Sequence, residues 1–286
     1  MNNLFRELAP VPASAWLAIE KETERTLKTM LAARRFVDFV GPLGFAASAV
    51  KSGRVDPIAP PQDSTVEAHL RRIQPLVEIR IPFELDRAEI EAIERGAKDP
   101  DLSSVVLAAR KIAIAENTAV FHGYAEADIE GICQGQAGSS LPLGDDFEQY
   151  PTVVTSAVNR LRDGGISGPY ALVLCERCYA GLTETTTNGY PIMDHVRRIV
   201  DGPIIWAPGL SGAAVVSLRG GDFELVVGRD FSIGYLGHDD QKVRLYLEES
   251  FTFRLLSPQA AIALVSERQT PSTSSVSNIN KRGMTS

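Results

Sequence analysis

Apolar residues recur at helical spacing from Ser14 to Val37, with Trp16, Ile19, Leu27, Met30 and Leu31 on one stripe, so this segment predicts an amphipathic helix. Ser14 is the expected N-cap, and Glu24 with Lys28 forms an i,i+4 pair. Gly41-Pro42 ends the stretch that follows. Residues 50–74 then lose periodicity and include Pro57, Pro60 and Pro61, which is too long a stretch for an ordinary connection inside a compact domain. From Pro75 to Leu85 apolar and polar residues alternate, the mark of a strand, and Pro75 and Pro82 favour an edge position. Together these predict an extended arm rather than a core hairpin.

Residues 87–96 and 102–127 predict helices, the second with Val105, Val106, Ala109, Ile112, Ala113 and Val120 on one broad face. A helix from Thr152 to Arg162 stops at Gly164-Gly165, and Tyr170 to Cys175 is a short buried strand. Gly181 to Tyr190 is a Thr-rich loop with Asn188-Gly189 at its tip, after which Pro191 opens a helix through Val196 and Val200. From Pro203 onward the pattern predicts strands at 204–206, 213–218, 223–227 and 233–236. Beyond them Val243, Leu245, Leu247, Phe251, Phe253 and Leu255 occupy odd positions, with Arg244, Tyr246, Glu248, Ser250, Thr252 and Arg254 between them. One strand of that length spans about 45 Å, so it is bent or reaches beyond one compact domain. Residues 269–286 turn to Ser, Thr and Asn without an aromatic residue and predict a disordered tail.

With 286 residues, 44% apolar and 23% charged, the chain has enough apolar surface to fold without disulfides or metals. Charges interrupt the first thirty residues, which argues against a signal peptide, and no window is apolar enough to span a membrane. A cytoplasmic protein is expected. The net charge of -7 and the short basic pairs Arg34-Arg35, Arg71-Arg72 and Arg197-Arg198 speak against a nucleic-acid partner. Cys133, Cys175 and Cys178 are too few for a disulfide framework. Cys175 and Cys178 form a C-x-x-C pair without the further ligands that a structural zinc needs. Redox chemistry wants the first cysteine at a helix start, whereas Cys175 closes an apolar run, so buried thiols are expected. No G-x-S-x-G, H-E-x-x-H or G-x-x-x-x-G-K-[ST] motif is present, which speaks against a hydrolase or another enzyme.

Several short motifs occur in a telling order. They begin with Leu8-Ala9-Pro10, Trp16, Arg34-Arg35-Phe36-Val37-Asp38 and Gly41-Pro42-Leu43-Gly44. Glu94-Arg95-Gly96, Gly168-Pro169-Tyr170-Ala171-Leu172 and Gly189-Tyr190-Pro191 follow. Arg219-Gly220-Gly221-Asp222-Phe223, Asp230-Phe231-Ser232-Ile233-Gly234-Tyr235 and Glu249-Ser250-Phe251-Thr252-Phe253 complete the series. In this order, over residues 1–266, the chain resembles the type 1 encapsulins, the linocin/bacteriocin-type family of nanocompartment shell proteins. The resemblance implies an α+β fold of the Hong Kong 97-type phage major-capsid class. It divides the chain into an N-terminal helix and the start of the peripheral domain (1–49), an extended loop (50–74), peripheral domain (75–135), axial domain (136–220), peripheral return strands (221–268) and the tail (269–286).

It further implies a cytoplasmic icosahedral shell of about 60 copies, with T = 1 favoured, around a dye-decolourising peroxidase or ferritin-like cargo that serves oxidative stress or iron storage. The cargo's terminal peptide would dock in a groove made by Leu27, Leu31, Arg34 and Asp38 with Asp230, Ile233 and Tyr235. For Leu27 and Leu31, core packing is the competing reading. Thr183, Glu184, Thr185, Thr186, Thr187, Asn188 and Gly189 would form the five-fold pore loop, against the alternative of a mobile surface loop. Some relatives stack a flavin on a Trp where this chain has Ala88, so no cofactor is expected. A phage capsid protein is the alternative, but about 60 copies of a -7 subunit sum to about -420 charges, a poor container for DNA.

Overall fold

The computed structural model describes residues 3–61, 65–134, 140–187 and 189–266. The chain opens with α1 (Ala13–Met30), β1 (Asp38–Val40), β2 (Ala49–Ile58), β3 (Ala68–Pro75) and β4 (Val77–Asp86). Then come α2 (Arg87–Glu94), α3 (Ser103–His122), β5 (Leu141–Leu143), α4 (Tyr150–Asp163), β6 (Tyr170–Leu174) and α5 (Glu176–Glu184). After β7 (Thr186–Thr187), β8 (Tyr190–Pro191) and α6 (Ile192–Val200), the strands β9 (Ile204–Trp206), β10 (Ala213–Ser217) and β11 (Phe223–Val227) follow. The described chain closes with β12 (Ser232–His238), β13 (Lys242–Leu255) and β14 (Ala261–Ser266).

The alternating run forms one continuous strand, β13, and it is the spine of the first sheet. β4 pairs along one side of it from Lys242 to Phe251, while β12 and then β11 share the other side, and β1 joins β11 in parallel. With a single partner, β4 is an edge strand, which is where Pro82 with no N–H to donate is tolerated. Burial on β13 goes beyond the odd positions. Thr252 is buried as well, and so are Tyr246 and Glu248, because Arg80 stacks on the Tyr246 ring at 4.1 Å and both Arg80 and Arg229 reach Glu248 at 2.6 Å. Against the opposite face pack α1 and α3, which build one core with Ile19, Leu27, Ile112, Ile233, Leu245 and Leu247.

The second sheet runs β5-β14-β10-β6-β9, and every residue of β6 and β10 is buried. Both faces are covered, so these strands read as unbroken apolar runs rather than alternating ones. The resemblance groups residues 261–266 with the return strands at 221–268, whereas β14 pairs in this second sheet, antiparallel to β10 and parallel to β5. The predicted tail, 269–286, lies outside the described residues.

Residues 50–74 are more regular than their sequence suggests. β2 and β3 pair as an antiparallel ribbon with a register shift between Lys51 and Val55, and Arg72 forms a two-point ion pair with Asp56. Neither strand joins a larger sheet, so the arm is a hairpin outside the core. Other helix ends move too. α1 starts behind Pro12, so Ser14 lies inside the helix instead of capping it, and α3 stops at His122 because Gly123 adopts φ 77° where an added Cβ would strike Ile129 O. Helix α5 was not predicted at all: Gly181 to Glu184, expected to open the Thr-rich loop, are its last turn.

Candidate functional site

The C-terminal half of α1 is held by a side chain far away in sequence. Asn117, fully buried on α3, accepts from the N–H groups of Ala32 (3.1 Å) and Ala33 (3.3 Å) and donates to Met30 O (2.8 Å) and Pro208 O (2.9 Å). Helix α1 therefore ends at Met30, short of the predicted Val37, and residues 33–35 make a short 3-10 turn that aims Arg34 inward. Across from this turn, β12 begins at Ser232. Between the two lies a groove of about 630 Å³.

Leu27, Leu31, Ile233 and Leu247 form its apolar floor, and Arg34, Asp230, Phe231 and Ser232 form one wall. Leu27 and Leu31 are 7% and 9% exposed and belong to the α1–α3 core, so core residue and groove floor are two faces of the same side chains. The rim is charged. Arg6 pairs with Glu20 at 2.7 Å and stacks on Trp16 at 4.0 Å, and Lys28 pairs with Glu24 at 2.6 Å. Arg35, also on the rim, is exposed and has no ion-pair partner among the described residues.

Arg34 is committed to the protein's interior. Its guanidinium donates to Glu116 Oε2 (2.9 and 2.6 Å), to Asp230 Oδ1 (2.9 Å) and to Glu249, while Phe231 lies 4.7 Å from its centre. Burial opposes its charge, but Glu116, Glu249 and Asp230 outweigh that cost and raise its pKa further. One cation thus faces three carboxyl groups, two of them fully buried. Burial drives the pKa of Glu116 up against the pull of Arg34, and it drives Glu249 up further with the repulsion of Glu116 added. With both ionised, Glu116 Oε1 and Glu249 Oε2 would be buried without a donor. Both carboxyls are therefore held toward their protonated forms, Glu249 well above the usual carboxylate range.

Five of the seven predicted groove residues meet here: Leu27, Leu31, Arg34, Asp230 and Ile233. Asp38 and Tyr235 do not line the groove. Asp38 sits on β1 and accepts from the backbone N–H of Gly221 at 2.6 Å, which ties β1 to the β10–β11 turn. Tyr235 donates its backbone N–H to Leu4 O at 2.8 Å, and its hydroxyl contacts His238. Leu4 and Arg6 instead close one end of the groove, and no periodicity marks either of them. Glu249 did carry a signal, a charge in an apolar phase between Leu247 and Phe251.

In the Thr-rich segment, Thr183 and Glu184 are helical, and the Thr183 and Thr185 hydroxyls donate back to Tyr179 O (2.8 Å) and Gly181 O (2.7 Å). Thr186 and Thr187 pair with Pro191 and Tyr190 in a two-residue ribbon, and Gly189 takes φ 81° at its turn. Asn188 lies outside the described residues. Thr186, Thr187, Gly189 and Tyr190 are all exposed, so the segment projects as a short hairpin.

Residues 1–252 match the family model described as an encapsulating protein for peroxidase, Linocin_M18. A type 1 encapsulin shell protein of Rhodospirillum rubrum is 54% identical, with 92% of this chain and 96% of that protein covered. A second, from Mycolicibacterium paratuberculosis, is 47% identical over 93% of this chain and 100% of its own length. Among solved structures, the virus-like particle from Pyrococcus furiosus superposes with a TM-score of 0.59 at 13% identity, covering 86% of this chain and 97% of that one. A Mycobacterium phage Cain chain gives 0.51 at 13% identity over 85% of this chain and 92% of its own. The fold is that of the Hong Kong 97-type capsid proteins, an α+β shell-forming class. This chain belongs to the type 1 encapsulin shell-protein family.

Proposed function

We propose that the subunit closes into a cytoplasmic T = 1 shell of about 60 copies, and that the groove between α1 and β12 recruits a cargo enzyme by its terminal peptide. The groove itself carries this reading. It offers an apolar floor one helical turn long, a wall fixed by the Arg34 network, and an exposed guanidinium at Arg35 to meet a peptide carbonyl or carboxylate. A short peptide with two or three apolar side chains fits that surface. The family model's description makes a peroxidase the first cargo to test, with a ferritin-like protein second. The Thr-rich segment from Thr183 to Gly189 is proposed as the five-fold pore lining, and Asp38 and Tyr235 as supports of the groove's surroundings rather than peptide ligands.

Ser232 lies on the groove's strand wall and outside the core, so Ser232→Trp fills the groove without opening a cavity. Shells of that variant are expected to form normally and hold less than about a tenth of the wild-type cargo, a loss of about 1.4 kcal/mol or more in docking. Full loading, read by mass spectrometry of purified shells, contradicts the assignment.

A further inference from the structure

The C-x-x-C pair lies apart from the groove. The apolar run of β6 does end at Leu174, but Cys175 is at the same time the N-cap of α5, whose nine residues begin at Glu176. The Cys175 Sγ accepts from the backbone N–H of Cys178 at 3.2 Å and stands 2.8 Å from the Cys178 Sγ. Cys175 is partly exposed and Cys178 is buried beneath it. Both sulfurs border a cavity of about 280 Å³ walled by Leu143, Asp145, Tyr150, Arg177 and Ser211, with Arg177 paired to Asp145. The expectation of two inert buried thiols is not what this geometry describes.

We propose that Cys175 and Cys178 form a redox-active dithiol that exchanges with low-molecular-weight disulfides entering this cavity. A helix N-terminus directs its free N–H groups and positive end at the capping sulfur and so stabilises a thiolate. The Cys178 thiol, followed by the N–H groups of Cys178, Gly212 and Arg177, brings Cys175 down to about 6 against the cost of burial. Cys178 is pushed up by its neighbour and by burial, so it keeps the proton. Burial alone pushes Cys133 up to about 12, which makes it an internal control.

The reaction balances within the pair and its substrate. The Cys175 thiolate attacks one sulfur of R–S–S–R, a Cys175–S–R bond replaces the R–S–S–R bond, and RS⁻ leaves. Cys178 then attacks the Cys175 sulfur and closes the Cys175–Cys178 disulfide, and its proton passes to the second thiolate, which leaves as RSH. The first RS⁻ takes up from solvent the proton that Cys175 lost on ionising. Two cysteine thiols are oxidised, and one small disulfide is reduced to two thiols. Closure from 2.8 Å to a disulfide bond of about 2.05 Å needs a shift of less than about 1 Å.

Wild-type protein, incubated with glutathione disulfide and then alkylated with iodoacetamide in denaturant, so that every remaining thiol is reached, is the first test. The expected product is a Cys175–Cys178 disulfide, lighter by two hydrogens in the intact mass, with Cys133 still alkylated. Without the disulfide, Cys175 is expected to alkylate at neutral pH roughly tenfold faster than Cys133. Cys178→Ser should stall the exchange as a glutathione adduct on Cys175. Should that variant not fold, the wild-type experiment decides alone. Equal alkylation of all three cysteines after incubation, or a Cys175 alkylation rate no greater than that of Cys133, overturns the proposal.

Discussion

Arg34 shows how one side chain both builds the groove and constrains what is tolerated beside it. Removing it in Arg34→Ala leaves Glu116, Glu249 and Asp230 facing one another with no cation, two of them fully buried. Such a deletion is expected to cost about 3–5 kcal/mol in chemical denaturation, far more than a lost peptide contact. Arg35→Glu, by contrast, changes an exposed rim residue, and the expected outcome is intact shells with several-fold weaker cargo loading that depends on salt. The same cluster sets a pH dependence. Glu249 and Glu116 hold their protons more tightly folded than unfolded, because their folded pKa values are raised above 4.5. The stability they contribute is whole below about pH 4.5 and declines as pH rises through the raised values. Glu249→Gln keeps a donor toward Glu116 but cannot ionise, so melting measured from about pH 5 to about pH 9 should lose much of its alkaline decline. Identical slopes for variant and wild type would remove the protonated Glu249 from this account. The sequence pointed to Arg34 and Asp230 through motif order, but not to the partners that fix them. Glu116 hides within an Ala-rich helix, and its depth depends on the packing of α1 across α3, which no local pattern records.

Periodicity found most elements whose two faces see different surroundings. The β13 alternation and the α1 stripe were both readable, since each packs one face on a shared core. Local signals failed where a distant group decides. Asn117 ends α1 at Met30, and the crossing of β14 into the second sheet is settled by β10 and β5 rather than by its own residues. Asn117→Ala, which abandons four hydrogen bonds of buried backbone, is expected to destabilise the protein by about 3 kcal/mol and to loosen the groove with it. The arm was recognised by its prolines and its length, whereas its pairing was not, because a ribbon with both faces open has no apolar side to impose a period. Val55, Ile58, Leu70 and Ile73 on this ribbon are 49–60% exposed, and a two-stranded ribbon is marginal in water without a partner. A neighbouring subunit is the partner proposed here. Leu70→Asp with Ile73→Asp should leave the subunit folded by circular dichroism yet block assembly in size-exclusion chromatography.

The whole molecule is two packed sheets with helices, an arm that projects beyond them, and a net charge of -7. The fold was readable because motifs spread over nearly the full chain occur in a fixed order, although the boundary between its two sheets was not. The central claim is closed self-assembly around cargo, and electron microscopy of the protein expressed alone, paired with size-exclusion chromatography, tests it most directly. Uniform hollow shells, closed by one repeated contact as point-group symmetry requires, are the predicted result. A monodisperse particle below about 200 kDa, far short of about 60 subunits, would contradict it.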